Sequence, residues 1–467
     1  MEVLEVLNKL IALIFISMIS FNPECVAAAG QGAVTSAGEG QAAAVMPIVK
    51  RDSLLNGLQL IVLEEEGTGS VSARLRINSG ALFDLAGKGG LADATAGMLL
   101  KGGGGFDSKA VTDTVQQLGL TINISVDWDA TDILISGPSD SLDAIFDLLS
   151  RIVIDPKFDQ KEFDAFKAGR IAALNEDEKS DSEAVRRKAL DIVFGTHPFG
   201  RPMRGSADSV SKIKREDLIY YHKRFYLANN AELIISGDAT AEQVTRLGRS
   251  KLGAWKKGEK VPATFRPPAA HSSRQAVILD RPDSSTARVA ISQVGISRRA
   301  EDYFSAAVMG AALDQINSKA VSAGATAVRT RLDARFLPGP LVVEFESSPD
   351  DLAAAIDAVL AGMTQFQSSR LLLEQVEAAK SRVISSFQER LRTSEGTSGL
   401  LLDIELYGLG RDYMINFVNR VNGVTPEDVQ QAARAYLKPE SVVVVVAGPA
   451  GRIETVLKKN ASVKVLP

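Results

Sequence analysis

Cysteine is nearly absent: one residue in 467, Cys25. A disulfide within the chain is excluded, and thiol chemistry has a single candidate. Histidine is almost as scarce. His197, His222 and His271 are the only three, and no two stand at the spacing of paired metal ligands on a helix. There is no basic excess either. The net charge is −4 and the pI about 5.7, which excludes the cationic surface a nucleic-acid binder needs. Hydrophobic residues make up 45% and charged residues 24%. That is the composition of a globular protein with a large core.

Only one long apolar run exists, Leu10 to Phe21, preceded by Lys9 and followed by Ala27-Ala28-Ala29-Gly30. It is about a dozen residues long, short of the ~20 a membrane-spanning helix needs. The pattern of a basic residue, an apolar run and small residues is that of a signal peptide, here residues 1–29. Pro23-Glu24 before Cys25 is the wrong context for lipidation. Residues 30–46 are small and featureless and read as a flexible leader. The expected mature chain is exported, periplasmic or secreted, with no transmembrane segment and no cysteine.

The remainder is one unit written twice. Leu58–Leu63 and Val71–Ile77 read as strands, and Ala276–Asp280 and Ala287–Ile291 repeat them. A helix follows each pair, Leu91–Leu100 and about Tyr303–Leu313. Gly137-Pro138-Ser139-Asp140 and Ser348-Pro349-Asp350-Asp351 each precede a helix that Ser or Asp is expected to cap. Further helices open near Phe158 and Leu371. Each unit closes on a helix and a strand, ending at Gly237-Asp238 and at Ala447-Gly448. These features predict an α+β fold of two homologous sandwich domains with antiparallel-rich sheets. The domains are expected at 47–254 and 274–467, joined by an exposed, Pro-bearing linker at 255–273. Gly102–Gly105 lacks the Lys-Ser/Thr of a phosphate loop and reads as a flexible helix exit.

Gly90-Leu91-Ala92-Asp93-Ala94-Thr95-Ala96-Gly97-Met98-Leu99-Leu100-Lys101-Gly102 resembles the zinc helix of the pitrilysin/insulinase metallopeptidases, Gly-Leu-x-His-x-x-Glu-His-Met-x-x-Lys-Gly. The turn Gly195-Thr196-His197-Pro198-Phe199-Gly200-Arg201-Pro202 resembles the family's Gly-x-His-Pro-Tyr-Gly. Similar segments continue through Asp217-Leu218 to Asn230, so the likeness covers nearly all of 50–450. It implies the short two-domain form, half of a clamshell that encloses unfolded peptides. In active members two His bind zinc and the intervening Glu activates water. Those positions here are Asp93, Ala96 and Gly97, so no catalytic residue and no metal ligand is expected. The third ligand, a later Glu, maps at or near Asn175, beside Glu176, on a helix from Phe163 to Asn175. The family's Arg and Tyr that grip substrate map to the loop Gln315–Arg331. Arg329 and Arg331 are the candidates there for substrate binding, and the loop has no Tyr. The resemblance implies a structural role for His197.

The reading that follows is a non-catalytic subunit of an exported two-chain zinc peptidase. It carries no cofactor of its own, and zinc is expected only in the partner, a zinc-bearing homologous peptidase subunit. The alternatives are a stand-alone binding or scaffold protein of the same fold, or a metallopeptidase with altered ligands. Export predicts a mature N-terminus near Gly30. Mass spectrometry of protein from the native source checks it, and intact Met1 on cytosolic protein is the contrary result.

Overall fold

The computed structural model describes residues 48–260, 265–458 and 462–466. The signal peptide and leader expected at 1–46 lie outside the described residues. Alternating and continuous apolar runs form two six-stranded sheets. The first contains β1 (Val49–Ser53), β2 (Gln59–Glu64), β3 (Ser70–Ile77), β4 (Thr121–Val126), β5 (Thr131–Pro138) and β6 (Ala231–Gly237), in the order β1-β2-β6-β3-β5-β4. The second contains β7 (Gln275–Asp280), β8 (Ala287–Val294), β9 (Ala325–Leu332), β10 (Pro340–Ser347), β11 (Val443–Gly448) and β12 (Ser462–Leu466), in the order β12-β7-β11-β8-β10-β9. The duplication is complete apart from the outermost strand. That place is taken by β1, antiparallel to β2, in one sheet and by β12, parallel to β7, in the other. Most pairings are antiparallel, as expected; the exceptions are β2–β6, β7–β11 and β7–β12.

Among the described residues the first half has eight α-helices: α1 (Leu91–Leu99), α2 (Ser108–Gln117), α3 (Leu142–Ile154), α4 (Gln160–Asp177), α5 (Asp181–Phe194), α6 (Ala207–Ser211), α7 (Arg215–Phe225) and α8 (Ala241–Leu247). The second half has α9 (Tyr303–Asn317), α10 (Leu352–Ser368), α11 (Leu373–Leu391), α12 (Ser394–Tyr407), α13 (Tyr413–Asn422), α14 (Pro426–Tyr436) and α15 (Ala450–Leu457). Among the described residues no helix is long and apolar enough to cross a membrane.

The halves exchange helices. Val185, Ala189 and Val193 of α5 pack with Val277, Ala290, Val443 and Val445, on the sheet of the second half. Leu401 and Ile404 of α12 share a core with Ile61 and Ile234, on the sheet of the first half. The contacted strands correspond: α5 lies on β8 and β11, and α12 on β3 and β6. Every residue of β6 and of β11 is therefore buried, as continuous apolar strands covered on both faces must be.

Several local expectations are corrected. Gly102–Gly105 is a packed turn, not a flexible exit. A Cβ on Gly103 would fall 2.3 Å from the Arg151 carbonyl oxygen, and one on Gly102 2.6 Å from that of Phe106. Neither the Ser141 nor the Asp351 side chain, at the α3 and α10 caps, accepts an N–H of its helix. Ser348 instead accepts the Asp351 N–H at 3.1 Å. Trp255 is buried, not exposed linker, and its indole N–H donates to the Tyr226 carbonyl. Gln315–Arg331 is not a loop. It comprises the end of α9, a short 3-10 turn and most of β9.

A buried ion network joins the halves. Arg76 donates to both oxygens of Asp132, at 2.6 and 2.8 Å, and Arg74 donates to Asp132 Oδ2 at 2.6 Å. Across the interface Arg76 reaches Asp403 of α12 at 2.8 Å, and Arg390 donates to the same carboxylate at 2.9 Å. Burial alone would raise the Asp132 carboxyl; Arg76 and Arg74 outweigh it and hold it below the usual range. An acid depressed in the folded state stabilises above its unfolded pKa, about 4, and loses that stabilisation as pH falls below it. Asp132→Asn leaves the arginines short of charge and is predicted to cost roughly 3 kcal/mol at pH 7. Urea denaturation at pH 7 and pH 3 checks this, since the difference from wild type should shrink at the lower pH.

Candidate functional site

The helix that resembles a zinc helix is held by its own sequence. Gly90 precedes α1 with φ 89°, a left-handed conformation natural to glycine. A Cβ there would also lie 2.6 Å from the Arg204 carbonyl oxygen. Asp84 closes the helix start, accepting the N–H of Gly90 at 2.7 Å and of Ala92 at 2.8 Å. Burial pushes its carboxyl up to about 7, against the pull of these donors and of Arg201. Leu91, Ala92, Met98 and Leu99 then fix α1 in the core of the first half.

Asp93 and Gly97, one turn apart, face α4. Arg170 Nη2 of α4 stands 2.7 Å from Asp93 Oδ2. Burial raises the Asp93 carboxyl, opposed by Arg170 and Arg204. One turn before Arg170, Phe166 fills the space beside Gly97. A Cβ at 97 would lie 2.6 and 2.8 Å from its ring carbons. The Arg170 guanidinium stacks 5.2 Å from the centre of that ring. Gly97 is thus a packing requirement that offsets its roughly 1 kcal/mol helix penalty relative to Ala. Ala96 is buried beneath them.

These residues do not fit zinc. A tetrahedral site needs three protein ligands and one open position. Here a cationic guanidinium occupies the charge partner's place and an aromatic ring occupies the second ligand's place. Among the described residues no group of three or more His, Cys, Asp or Glu is placed to hold a metal. The position facing Asp93 on α4 belongs to Arg170, not to Asn175 or Glu176. Both of those are exposed near the helix end, and Glu176 pairs with Lys179. Arg170 and Phe166 escaped the sequence reading because counting from the motif passed over them. Their spacing of four, equal to that of Asp93 and Gly97, was the available signal.

The histidines are structural. His197 Nδ1 accepts the Phe199 N–H at 3.1 Å, and His222 contacts the Val153 carbonyl at 2.8 Å. Burial lowers His222 to about 4. His271 bonds the Ile192 carbonyl and Gln275. The two candidate arginines separate. Arg331, on the edge strand β9, lines a cleft of about 460 Å³ between the halves, with Trp128, Arg186, Arg204, Arg335 and Glu344. Arg329 is exposed and does not line it. A break in register, with Ala327 at φ 52°, lies just before both.

Two family models match adjoining parts of the chain. "Insulinase (Peptidase family M16)" matches residues 60–207 and "Peptidase M16 inactive domain" residues 212–383. The chain belongs to the M16 peptidase family. Four curated relatives are matched over 37% to 60% of their own length. One is the non-peptidase homolog YmxG of Helicobacter pylori, 20% identical over 44% of each chain. A crystal structure described as a peptidase M16 inactive domain from Pseudomonas fluorescens superposes with a TM-score of 0.78 at 20% identity. The match covers 86% of this chain and 98% of that one. The periplasmic protease PqqL of Escherichia coli gives 0.70 at 16% identity, over 91% of this chain and 52% of that one.

Restoring the motif alone should fail. Asp93→His, Ala96→Glu and Gly97→His together are predicted to bind no stoichiometric zinc, because one imidazole meets Arg170 and the other the Phe166 ring. Adding Phe166→Ala and Arg170→Glu is predicted to give about one chelator-sensitive zinc per chain, read by atomic absorption.

Proposed function

We propose that this M16 member is a non-catalytic subunit that forms half of a peptide-binding chamber with a zinc-bearing homologue. The observation that carries the reading is the refilled site. Arg170 and Phe166 occupy the place of the metal centre, while α1, its glycine entry and the sheets around it keep the frame. Selection for stability alone would not require a cleft between the halves, yet one of about 460 Å³ is present. Arg331 stands on its wall. The edge strand β4 packs beside α1, and of the described strands it pairs only with β5. Its free backbone groups suit an extended peptide.

The partner reading draws on the match to PqqL, in which this chain corresponds to about half of the longer protein. In this reading the chain supplies one half and a second subunit the other. Export is supported by the Lys9–Ala29 pattern and by the periplasmic description of that protease. A lasting complex should bury about 1,600 Å² or more.

The test is co-expression with an exported homologue carrying an intact His-x-x-Glu-His motif, followed by size-exclusion chromatography and a fluorogenic peptide assay. Co-elution and a several-fold rise in the homologue's peptidase activity are expected, with no zinc and no cleavage by this chain alone. Separate elution with unchanged activity would reject the subunit reading in favour of a scaffold.

A further inference from the structure

The space between α9 and α11 is the second half's counterpart of the space between α1 and α4. In the first half Phe166 and the Asp93–Arg170 pair fill it. In the second, α9 presents Ala307, Gly310 and Ala311, and a cleft of about 430 Å³ stays open. Leu400, Phe387 and Phe417 give it apolar walls. Four arginines line it, Arg298, Arg331, Arg382 and Arg390, against one carboxylate, Asp314.

Three of those arginines are already matched, Arg331 by Glu344 at 3.8 Å. Arg382 pairs with Asp314 at 3.0 Å and Arg390 with Asp403 at 2.9 Å. Arg298 is not. It is only 9% exposed, and among the described residues it has no carboxylate within ion-pair distance. Its guanidinium lies 3.7 Å from the centre of the Tyr303 ring, and Nη2 donates to the Tyr413 hydroxyl. Nη1 has no hydrogen-bond partner among the described residues. Asp403 acts on it only at longer range, and a buried cation with an unmet donor beside an open cleft is costly unless an anion compensates it.

We propose that this cleft binds a small organic anion, a carboxylate or phosphate carried on an apolar body. The head group is held by the field of Arg298 and by Arg382 and Arg390. The body lies against Phe387 and Phe417 in the room left by Ala307 and Ala311. None of these residues lines the cleft between the halves, so the proposal stands apart from the peptide-chamber reading.

Isothermal titration of the full chain tests it with 3-phenylpropanoate and phenyl phosphate as probes and 3-phenylpropanamide as the uncharged control. Saturable one-site binding of at least one acid is expected, with the amide ~10-fold weaker or absent. Arg382→Gln removes charge at a largely exposed position, and Ala307→Leu fills the cleft without changing charge. Each is expected to weaken the acid ~10-fold, with the circular-dichroism spectrum and Tm retained. Failure of both acids to bind, equal binding of acid and amide, or undiminished binding in both variants would overturn the proposal.

Discussion

Each half of this chain completes its sheet with a helix borrowed from the other. This exchange is the constraint on which the remaining structure depends. An amphipathic sheet must cover its apolar faces, and β6 and β11 are buried along their whole length. Their second covers are α12 and α5, helices encoded in the opposite half. The polar interface follows from the same crossing. Once α12 lies on β3, Asp403 comes within reach of Arg76, and Arg74 runs along the helix backbone. Gly399 marks that passage: a Cβ there would sit 2.8 Å from Arg74 Nη1. No buried atom of Arg74, Arg76, Asp132 or Asp403 lacks a partner, because the exchange brings acidic and basic side chains from one sheet and two helices to one place.

The refilled helix α1 shows how the frame of a motif can be kept while the side facing its partner helix changes. The core-facing side of α1, Leu91, Ala92, Met98 and Leu99, answers to packing in the first half. The side facing α4 answers only to its partner helix. There a cation is still supplied, now as a guanidinium covalently attached to α4. It still meets an acidic group on α1, and the vacated ligand volume is taken by Phe166. Loss of an interior metal would otherwise leave a cavity and uncompensated carboxylates, both destabilising. Asp93, Gly97, Phe166 and Arg170 act as one substitution set. None of the four is intelligible alone: Gly97 looks like a weak point in the helix until the ring beside it is seen.

What the sequence made legible was periodic or duplicated. The strands Leu58–Leu63 and Val71–Ile77 and their second-half copies were readable from apolar patterning, and so were the helices at 91, 303 and 371 and the α+β class. The altered motif at 93, 96 and 97 was also legible, since its frame is contiguous. Relations carried by space were not. The helix exchange left no local trace, because α5 and α12 are ordinary amphipathic helices whichever sheet they cover. Arg170 was hidden because register between α1 and α4 depends on how the helices cross, not on counted separation. Gly102–Gly105 read as flexible because glycine permits motion; here it permits close approach to Arg151 and Phe106. Residues 315–331 read as a loop because their few apolar side chains sit on an edge strand, where half the surface faces water.

The cleft between the halves and the cleft between α9 and α11 differ in charge pattern. Between the halves nearly every charge is internally matched. Arg335 pairs with Asp127 and Asp333, Arg204 with Asp177, Arg187 with Glu178 and Arg186 with Glu183. Such a surface exerts little net field, and exposed matched pairs contribute little individually. Whatever lies there must be held chiefly through backbone hydrogen bonds and apolar contact, which suits an extended chain read with little regard to sequence. The cleft between α9 and α11 has the opposite design. Its walls are apolar, arginines outnumber carboxylates on its lining, and its deepest guanidinium has no ion pair among the described residues. A site of that kind discriminates by charge and by the size of a compact body, and it is poorly suited to a passing strand. The duplicated fold thus carries unlike surroundings at the corresponding gaps between α1 and α4 and between α9 and α11. The first half closed the gap between its helices with a salt bridge and a ring; the second kept the gap and left Arg298 without an ion pair among the described residues.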